Sequence, residues 1–164
     1  MSLVTVILML IAAERLAELV HAARNTRALR RRGAIERGAG HYPLLVLLHA
    51  AWLGALFLLV PQDTAPVWPW LAVYLGLQGL RLWVIRSLGP YWTTRIITLP
   101  GEKLVRRGPY RFLRHPNYVI VAAEIAVLPL AFRAYTVALI FSVLNFTLLA
   151  WRIRIEERAL ADRA

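Results

Sequence analysis

The sequence contains no cysteine, and it is poor in acid: nine aspartates and glutamates stand against twenty lysines and arginines. The missing thiols exclude disulfides and thiolate metal ligation, while leaving the compartment open. Histidine is scarce as well. Its four copies, His21, His41, His49 and His115, lack the compact spacing of a ligand set, so no metal is expected. Nor is there a basic leader. The first ten residues hold no lysine or arginine, and the run they open contains Glu14, Arg15 and Glu18, which argues against a cleaved signal peptide. No internal repeat or low-complexity tract stands out.

What is present is mostly apolar. Of 164 residues, 59% are hydrophobic, gathered into five runs near bilayer length: 3–21, 44–60, 67–88, 118–132 and 134–151. A helical span needs about 20 mainly apolar residues, with a range near 17–25. The runs predict an all-α integral membrane bundle of five transmembrane helices, one domain over residues 1–164. The fourth run is short, so it should tilt or begin at the Pro116 turn. The tail beyond Arg152 has helix-forming residues and is expected to continue the fifth span.

A net charge of +11 invites a nucleic-acid reading, but the distribution argues against one. With the amino terminus outside, the first inner segment holds Arg24, Arg27, Arg30, Arg31, Arg32 and Arg37. The second holds Arg86, Arg95, Lys103, Arg106, Arg107, Arg111 and Arg114, and the tail holds Arg152, Arg154, Arg158 and Arg163. Seventeen of the twenty basic residues therefore fall on one side, as the positive-inside bias requires. Contact with anionic lipid headgroups adds attraction there. The basicity reads as topology, with no nucleic-acid partner and a cytoplasmic carboxyl terminus.

Two inner segments, 22–43 and 89–116, are longer than connectors need, and long loops in compact proteins are often functional. Gly89-Pro90, Pro100-Gly101 and Gly108-Pro109 punctuate the second, predicting an ordered, folded-back loop. Ionisable residues inside spans are functional candidates by default. Glu14, Arg15, Glu18, His49, Gln78, Arg81, Glu124 and Asn145 all fall in inner halves, while the outer halves are almost purely apolar. Glu124 lies six residues into its span, roughly 9 Å deep at helical rise. This asymmetry predicts a pocket open to the cytoplasm and closed outside, which suits chemistry better than transport. A plainer reading stays open: Glu14–Glu18 and His21–Asn25 share a helical face and could merely solvate a helix end, and Arg81 could snorkel to the interface.

The segment 106–118, RRGPYRFLRHPNY, is the most informative stretch. Proline disfavours a helical conformation at His115, whereas Pro116 suits a first helical turn. His115 is thus expected at a loop-to-helix junction beside helix-start N–H groups that could accept a carboxylate. A histidine simply resting at headgroup level fits the spacing equally well.

Gly108-x-Tyr110, then Arg114-His115-Pro116-Asn117-Tyr118, two helices, and Glu156-Glu157 with Leu160 three residues on, resemble the isoprenylcysteine carboxyl methyltransferase family over residues 101–160. The five-run layout fits that family's core, and the motif-bearing part extends over about 89–164. Arg24-Asn25, Arg32-Gly33-Ala34-x-Glu36-x-Gly38, His41-Tyr42-Pro43 and His49 are similar to a bacterial branch that includes alkylpyrone O-methyltransferases. The resemblance implies S-adenosyl-L-methionine bound on the cytosolic side, and its bacterial branch implies a bacterial inner membrane. It implies cofactor contacts from Glu102, Lys103, Leu104, Val105, Tyr110, His115, Pro116, Asn117 and Tyr118; many members carry histidine where this chain has Glu102. Arg152 and Glu156 match the arginine and glutamate linked to substrate and catalysis, although their i,i+4 spacing would also suit an ordinary helix-surface ion pair.

The reaction so implied is methyl transfer to the carboxylate or acidic hydroxyl of a prenyl- or alkyl-tailed acceptor entering from lipid. Arg152 would position the anion, and Glu156 would orient Arg152 or take a proton. Other acceptors, such as a phospholipid amine, a phenol or a thiol, remain as alternatives, as does a non-catalytic membrane or lipid-binding subunit.

Overall fold

A computed structural model describes residues 1–160; Arg163 of the predicted inner tail lies outside them. Among the described residues the fold is all-α apart from one two-stranded clip. Five helices follow in order: α1 (Leu3–Arg31), α2 (Tyr42–Leu59), α3 (Trp68–Leu88), α4 (Pro116–Ala131) and α5 (Tyr135–Leu160). Strands β1 (Ile35–Arg37) and β2 (Ile96–Thr98) lie between them.

α1 starts where the Ser2 side chain accepts from the Thr5 backbone N–H at 3.0 Å, satisfying a donor the helix itself leaves unpaired. It runs ten residues past the predicted span end at His21, so half of the expected first inner segment is helix rather than loop. The reason is local: residues 22–31 contain no glycine or proline, and Arg30 and Arg31 suit the negative end of the helix dipole. Pro43 and Pro116 each occupy the first turn of their helix, and α5 continues unbroken to Leu160, as expected.

The clip was not foreseen. β1 and β2 pair antiparallel, Ile35 with Thr98, Glu36 with Ile97 and Arg37 with Ile96, joining the two inner segments. Three-residue strands are too short for alternation to be legible in a sequence. Glu36 completes the clip by pairing with Arg95 at 2.6 Å and with Arg30.

The apolar core lies at the end away from the clip. Val4, Leu8 and Ile11 of α1, Trp52 and Leu56 of α2, Tyr74 of α3, Ile125 and Leu128 of α4 and Val137 of α5 form one buried cluster. α4 is the central helix, packed on α3 and α5. Two helical stretches, Ala39–Leu59 and Tyr135–Leu160, are long and apolar enough to cross a membrane by length and composition, and Pro116–Ala131 is apolar but shorter. α1 and α3 instead carry Glu14, Arg15, Glu18 and Arg81, and α4 carries the buried Glu124. All five helices nonetheless expose large apolar side chains, among them Leu10, Leu58, Leu75, Val119 and Phe146.

Candidate functional site

Two polar sets form, and the first gathers Glu14, Arg15, Glu18, Gln78, Arg81 and Glu124 of the groups predicted to share one depth, while His49 and Asn145 stay outside it. Across α1, α3 and α4, Arg81 pairs with Glu18 through Nε at 2.5 Å and Nη2 at 2.6 Å, and with Glu124 at 3.0 Å. Arg15 donates to Glu18 at 3.0 Å, to Gln78 at 3.0 Å and to Glu124 at 3.2 Å. Arg81 is only 7% exposed and does not snorkel. Two guanidiniums thus face the two buried carboxylates Glu18 and Glu124, and Arg15 also lies 3.8 Å from the more exposed Glu14. Removing one partner of such a set is costly, because the others are left charged and buried. The Asn145 side chain is buried but joins no hydrogen bond among the described residues. The His21–Asn25 face docks inward too: His21 stacks on Trp92 at 5.6 Å, and Asn25 donates to the Gly89 and Trp92 carbonyls.

The second set surrounds Arg152, which is 6% exposed on the last turns of α5. Its Nε donates to the Tyr118 hydroxyl at 2.7 Å, Nη1 to His41 Nε2 at 3.2 Å and Nη2 to the Thr94 carbonyl at 2.9 Å. A guanidinium only donates, so His41 Nε2 must accept. The direct Arg152–Glu156 ion pair that the spacing permits does not form: no salt bridge involves Arg152 among the described residues. Tyr118 stands between the two residues and donates its hydroxyl proton to Glu156.

His115 occupies the loop-to-helix junction that Pro116 demands, with φ −129° and ψ 58°. Its ring stacks on Tyr118 at 5.3 Å, 3.6 Å from the Glu156 carboxylate and 3.8 Å from that of Glu157. Upstream, Gly108 adopts φ +58° and lies so close to α3 that an added Cβ would stand 2.9 Å from Ser87 Cβ. Only glycine lets this turn seat there, and the turn carries Tyr110 to the site. Burial, and then the negative Glu156, push the Tyr110 phenol above its ordinary value, so it remains a hydrogen-bond donor.

One cavity of about 1280 Å³ joins the two sets. Of the sequence-predicted residues, Lys103, Leu104, Val105, Tyr110, His115, Asn117, Tyr118, Arg152 and Glu156 line it. Glu102 and Pro116 do not. Glu102 pairs with Arg32 at 2.6 Å, and Pro116 is buried in the first turn of α4. The cavity continues past Tyr42 and Leu149 to Arg15, Glu18, His49 and Arg81. A smaller apolar hollow of about 360 Å³ between α1 and α2 shares Ala12 and Leu53 with it.

Several site features escaped the sequence. The Thr94 carbonyl is a main-chain group without a side-chain signature. The approach of His41 to Arg152 depends on Gly38, at φ +59°, where an added Cβ would come within 2.6 Å of Ile155 on α5. The Gly38-x-x-His41-Tyr42-Pro43 stretch is visible in the sequence, but its spacing alone does not place His41 against Arg152. Among the described residues, no group of three or more histidine, aspartate or glutamate side chains is arranged to hold a metal ion.

The sequence profile of the isoprenylcysteine carboxyl methyltransferase (ICMT) family matches residues 70–162. The uncharacterized protein YpbQ of Bacillus subtilis is 38% identical over 157 residues, 93% of this chain and 94% of that protein. An uncharacterized protein of Haemophilus influenzae is 30% identical over 145 residues, covering 84% of this chain and 83% of its own length. No solved structure matches the chain. A profile match that takes in the His115 junction, Arg152 and Glu156, together with a relative aligned over nearly the whole length, means that this chain belongs to the isoprenylcysteine carboxyl methyltransferase family.

Proposed function

We propose that this protein is an S-adenosylmethionine-dependent methyltransferase acting on a lipophilic acceptor, the carboxylate or acidic hydroxyl of a prenyl- or alkyl-tailed molecule. It works at the inner face of a five-span bundle, in a bacterial inner membrane with the carboxyl terminus cytoplasmic. The observation that carries this reading is the state of Arg152. It is a buried guanidinium whose three protein contacts are a hydroxyl, an imidazole and a carbonyl, all neutral. Burying a charge without a countercharge is costly, so such a group is suited to an anion that arrives with the ligand. Three of its five N–H donors are engaged, leaving one on each terminal nitrogen for a two-point hold on an oxyanion.

The cofactor fits the residues present. Asn117 Oδ1 is buried on the cavity wall with no hydrogen-bond partner, an acceptor suited to a ligand amino group. Residues 103–106 line the cavity, and their main-chain groups make no hydrogen bond among the described residues, which leaves them available to a ligand. Lys103, Leu104, Val105, Tyr110, His115, Asn117 and Tyr118 would hold the cofactor, with Glu102 and Pro116 supporting that wall from behind. When bound, S-adenosylmethionine supplies a methyl group on a sulfonium, which needs only an aligned nucleophile. Alignment alone can contribute several kcal/mol. Arg152 orients the acceptor's anionic head, and Tyr118 passes hydrogen bonding on to Glu156, which can take a proton from a weaker acid.

Size supports two ligands at once. Typical small-molecule pockets are roughly 300–1,000 Å³, and this cavity exceeds that range. The adjoining apolar hollow between α1 and α2 suits a hydrocarbon tail. The five-span topology rests on the one-sided placement of basic residues and on the apolar side chains that every helix exposes. Calorimetry with S-adenosylhomocysteine on the purified protein should give saturable heat. Incubation with radiolabelled S-adenosylmethionine and tailed carboxylic acids, prenylcysteines, alkylresorcinols and alkylpyrones should label one class. Absence of both signals would leave a non-catalytic membrane protein.

A further inference from the structure

We propose that His49 is a specificity-determining residue for the acceptor, and that it takes a neutral hydrogen-bond donor placed along the acceptor away from its head. This rests on the methyltransferase reading above for the identity of the ligand. His49 lies on α2 and lines the deep part of the cavity, among Leu16, Leu45, Val46 and Leu53. Its Nδ1 is 2.8 Å from the Leu45 carbonyl one turn back. A carbonyl can only accept, so the Nδ1 proton is spent there, and in the neutral ring Nε2 carries the lone pair. Among the described residues Nε2 has no partner. The tautomer is thereby selected by the helix itself, leaving one aimed acceptor beside the space a ligand would fill.

The charges nearby decide what kind of ligand group fits. Arg15 and Arg81 also line this end, but their guanidiniums are spent on Glu18 and Glu124, with Glu14 a third carboxylate 3.8 Å from Arg15. The deep end therefore offers no unbalanced positive charge to a second anion. It offers one lone pair, in surroundings where an unmet polar group is costly. A hydroxyl or N–H satisfies Nε2, whereas plain hydrocarbon displaces its water and leaves it unpaired. The cavity is thus polar at two separated places, with Arg152 for the anionic head and His49 for a neutral donor further along.

The test uses the full-length protein in detergent and a series of long-chain acids of one length, unsubstituted or with a hydroxyl at successive chain positions. Binding is measured by calorimetry in wild type, His49→Leu and His49→Gln, with S-adenosylhomocysteine binding measured alongside. One hydroxyl position should bind about tenfold tighter than the unsubstituted acid, the value of one well-formed hydrogen bond. His49→Leu should lose that gain, and His49→Gln, whose side-chain oxygen accepts from a similar reach, should recover part of it. Cofactor-product binding should be equal in all three, which also reports a retained fold. A hydroxyl gain that survives in His49→Leu, or no gain at any position, would overturn the proposal. Normal S-adenosylhomocysteine binding in that case leaves the methyltransferase reading standing. A His49-dependent gain without S-adenosylhomocysteine binding would instead sustain the subsite and remove the cofactor reading.

Discussion

Arg152 donates through Nε to the hydroxyl of Tyr118 at 2.7 Å, and among the described residues this bond is its one hydrogen-bonded route to a carboxylate. The hydroxyl then donates to Glu156, so a residue at the start of α4 links two residues one turn apart on α5. The arrangement keeps Arg152 oriented without neutralising it. A direct Arg152–Glu156 pair would have left less positive charge for an acceptor. The tyrosine separates the function of holding the guanidinium from that of cancelling it.

Replacing Tyr118 by phenylalanine tests this arrangement. The ring and its stack on His115 would be kept, while the two hydrogen bonds to charged groups would be lost. Such bonds are each worth about 1.5–3 kcal/mol. Loss of one such bond's worth of transition-state stabilisation should slow methyl transfer by about 10- to 100-fold, with S-adenosylhomocysteine binding, which meets the retained ring, largely kept. Single-turnover transfer of labelled methyl is the measurement. An unchanged rate would mean that Glu156 and Arg152 work independently.

Arg152→Ala and Glu156→Ala should each abolish turnover while the protein remains folded. Arg152→Lys is the sharper variant, because charge is kept and geometry is not. One ammonium cannot meet Tyr118, His41 and the Thr94 carbonyl together and still grip an acceptor at two points. Activity should fall at least about tenfold, chiefly through a raised KM for the acceptor. Steady-state kinetics against the labelled acceptor class would separate KM from kcat. Near wild-type kinetics in Arg152→Lys would show that charge alone suffices.

Much of the candidate site was legible in the sequence because its residues lie at fixed spacing on local elements. Pro116 constrains His115 locally, and Arg152 and Glu156 lie on a helix whose period is known. The inner-half polar residues were visible as anomalies in apolar runs, and their pairing follows from the cost of leaving them alone. The β1–β2 clip was not legible, because three-residue pairing between distant segments is a tertiary event. For the same reason the Tyr118 bridge could not be anticipated: it joins residues 34 and 38 positions apart in the chain. Only Glu102 and Pro116 among the resemblance-derived contacts stand off the cavity wall, and both are adjacent to residues that line it.

The Arg15–Glu18–Gln78–Arg81–Glu124 network should behave as a structural unit. Glu124→Ala leaves Arg81 and Arg15 each short of an acceptor in the interior. Breaking a buried pair from one side costs about 3–5 kcal/mol. Replacing a rim residue such as Glu102 should cost far less, because the Arg32–Glu102 pair is well exposed. Denaturant or thermal unfolding in detergent would compare them. Equal stability of Glu124→Ala and wild type would mean that water already relieves the network.

Glu36 makes the clip, and through it the Arg152 site, sensitive to acid. Burial alone would raise its carboxyl, but hydrogen bonds and charge from Arg95, then Arg30, outweigh this and hold it below its ordinary value of 4.5. A carboxylate with a depressed folded pKa contributes stability that is complete above the unfolded value and disappears as pH falls through the folded one. The unfolding midpoint should therefore drop between pH about 6 and about 3 by more in wild type than in Glu36→Gln. Activity should decline with it, because β2 follows directly on the segment that presents the Thr94 carbonyl to Arg152. High salt should shrink the difference, mainly through the exposed Arg30 arm, whose side chain is 53% accessible. Parallel pH curves for the two proteins would show that Glu36 carries no linked proton, and that the clip is held by its backbone ladder alone.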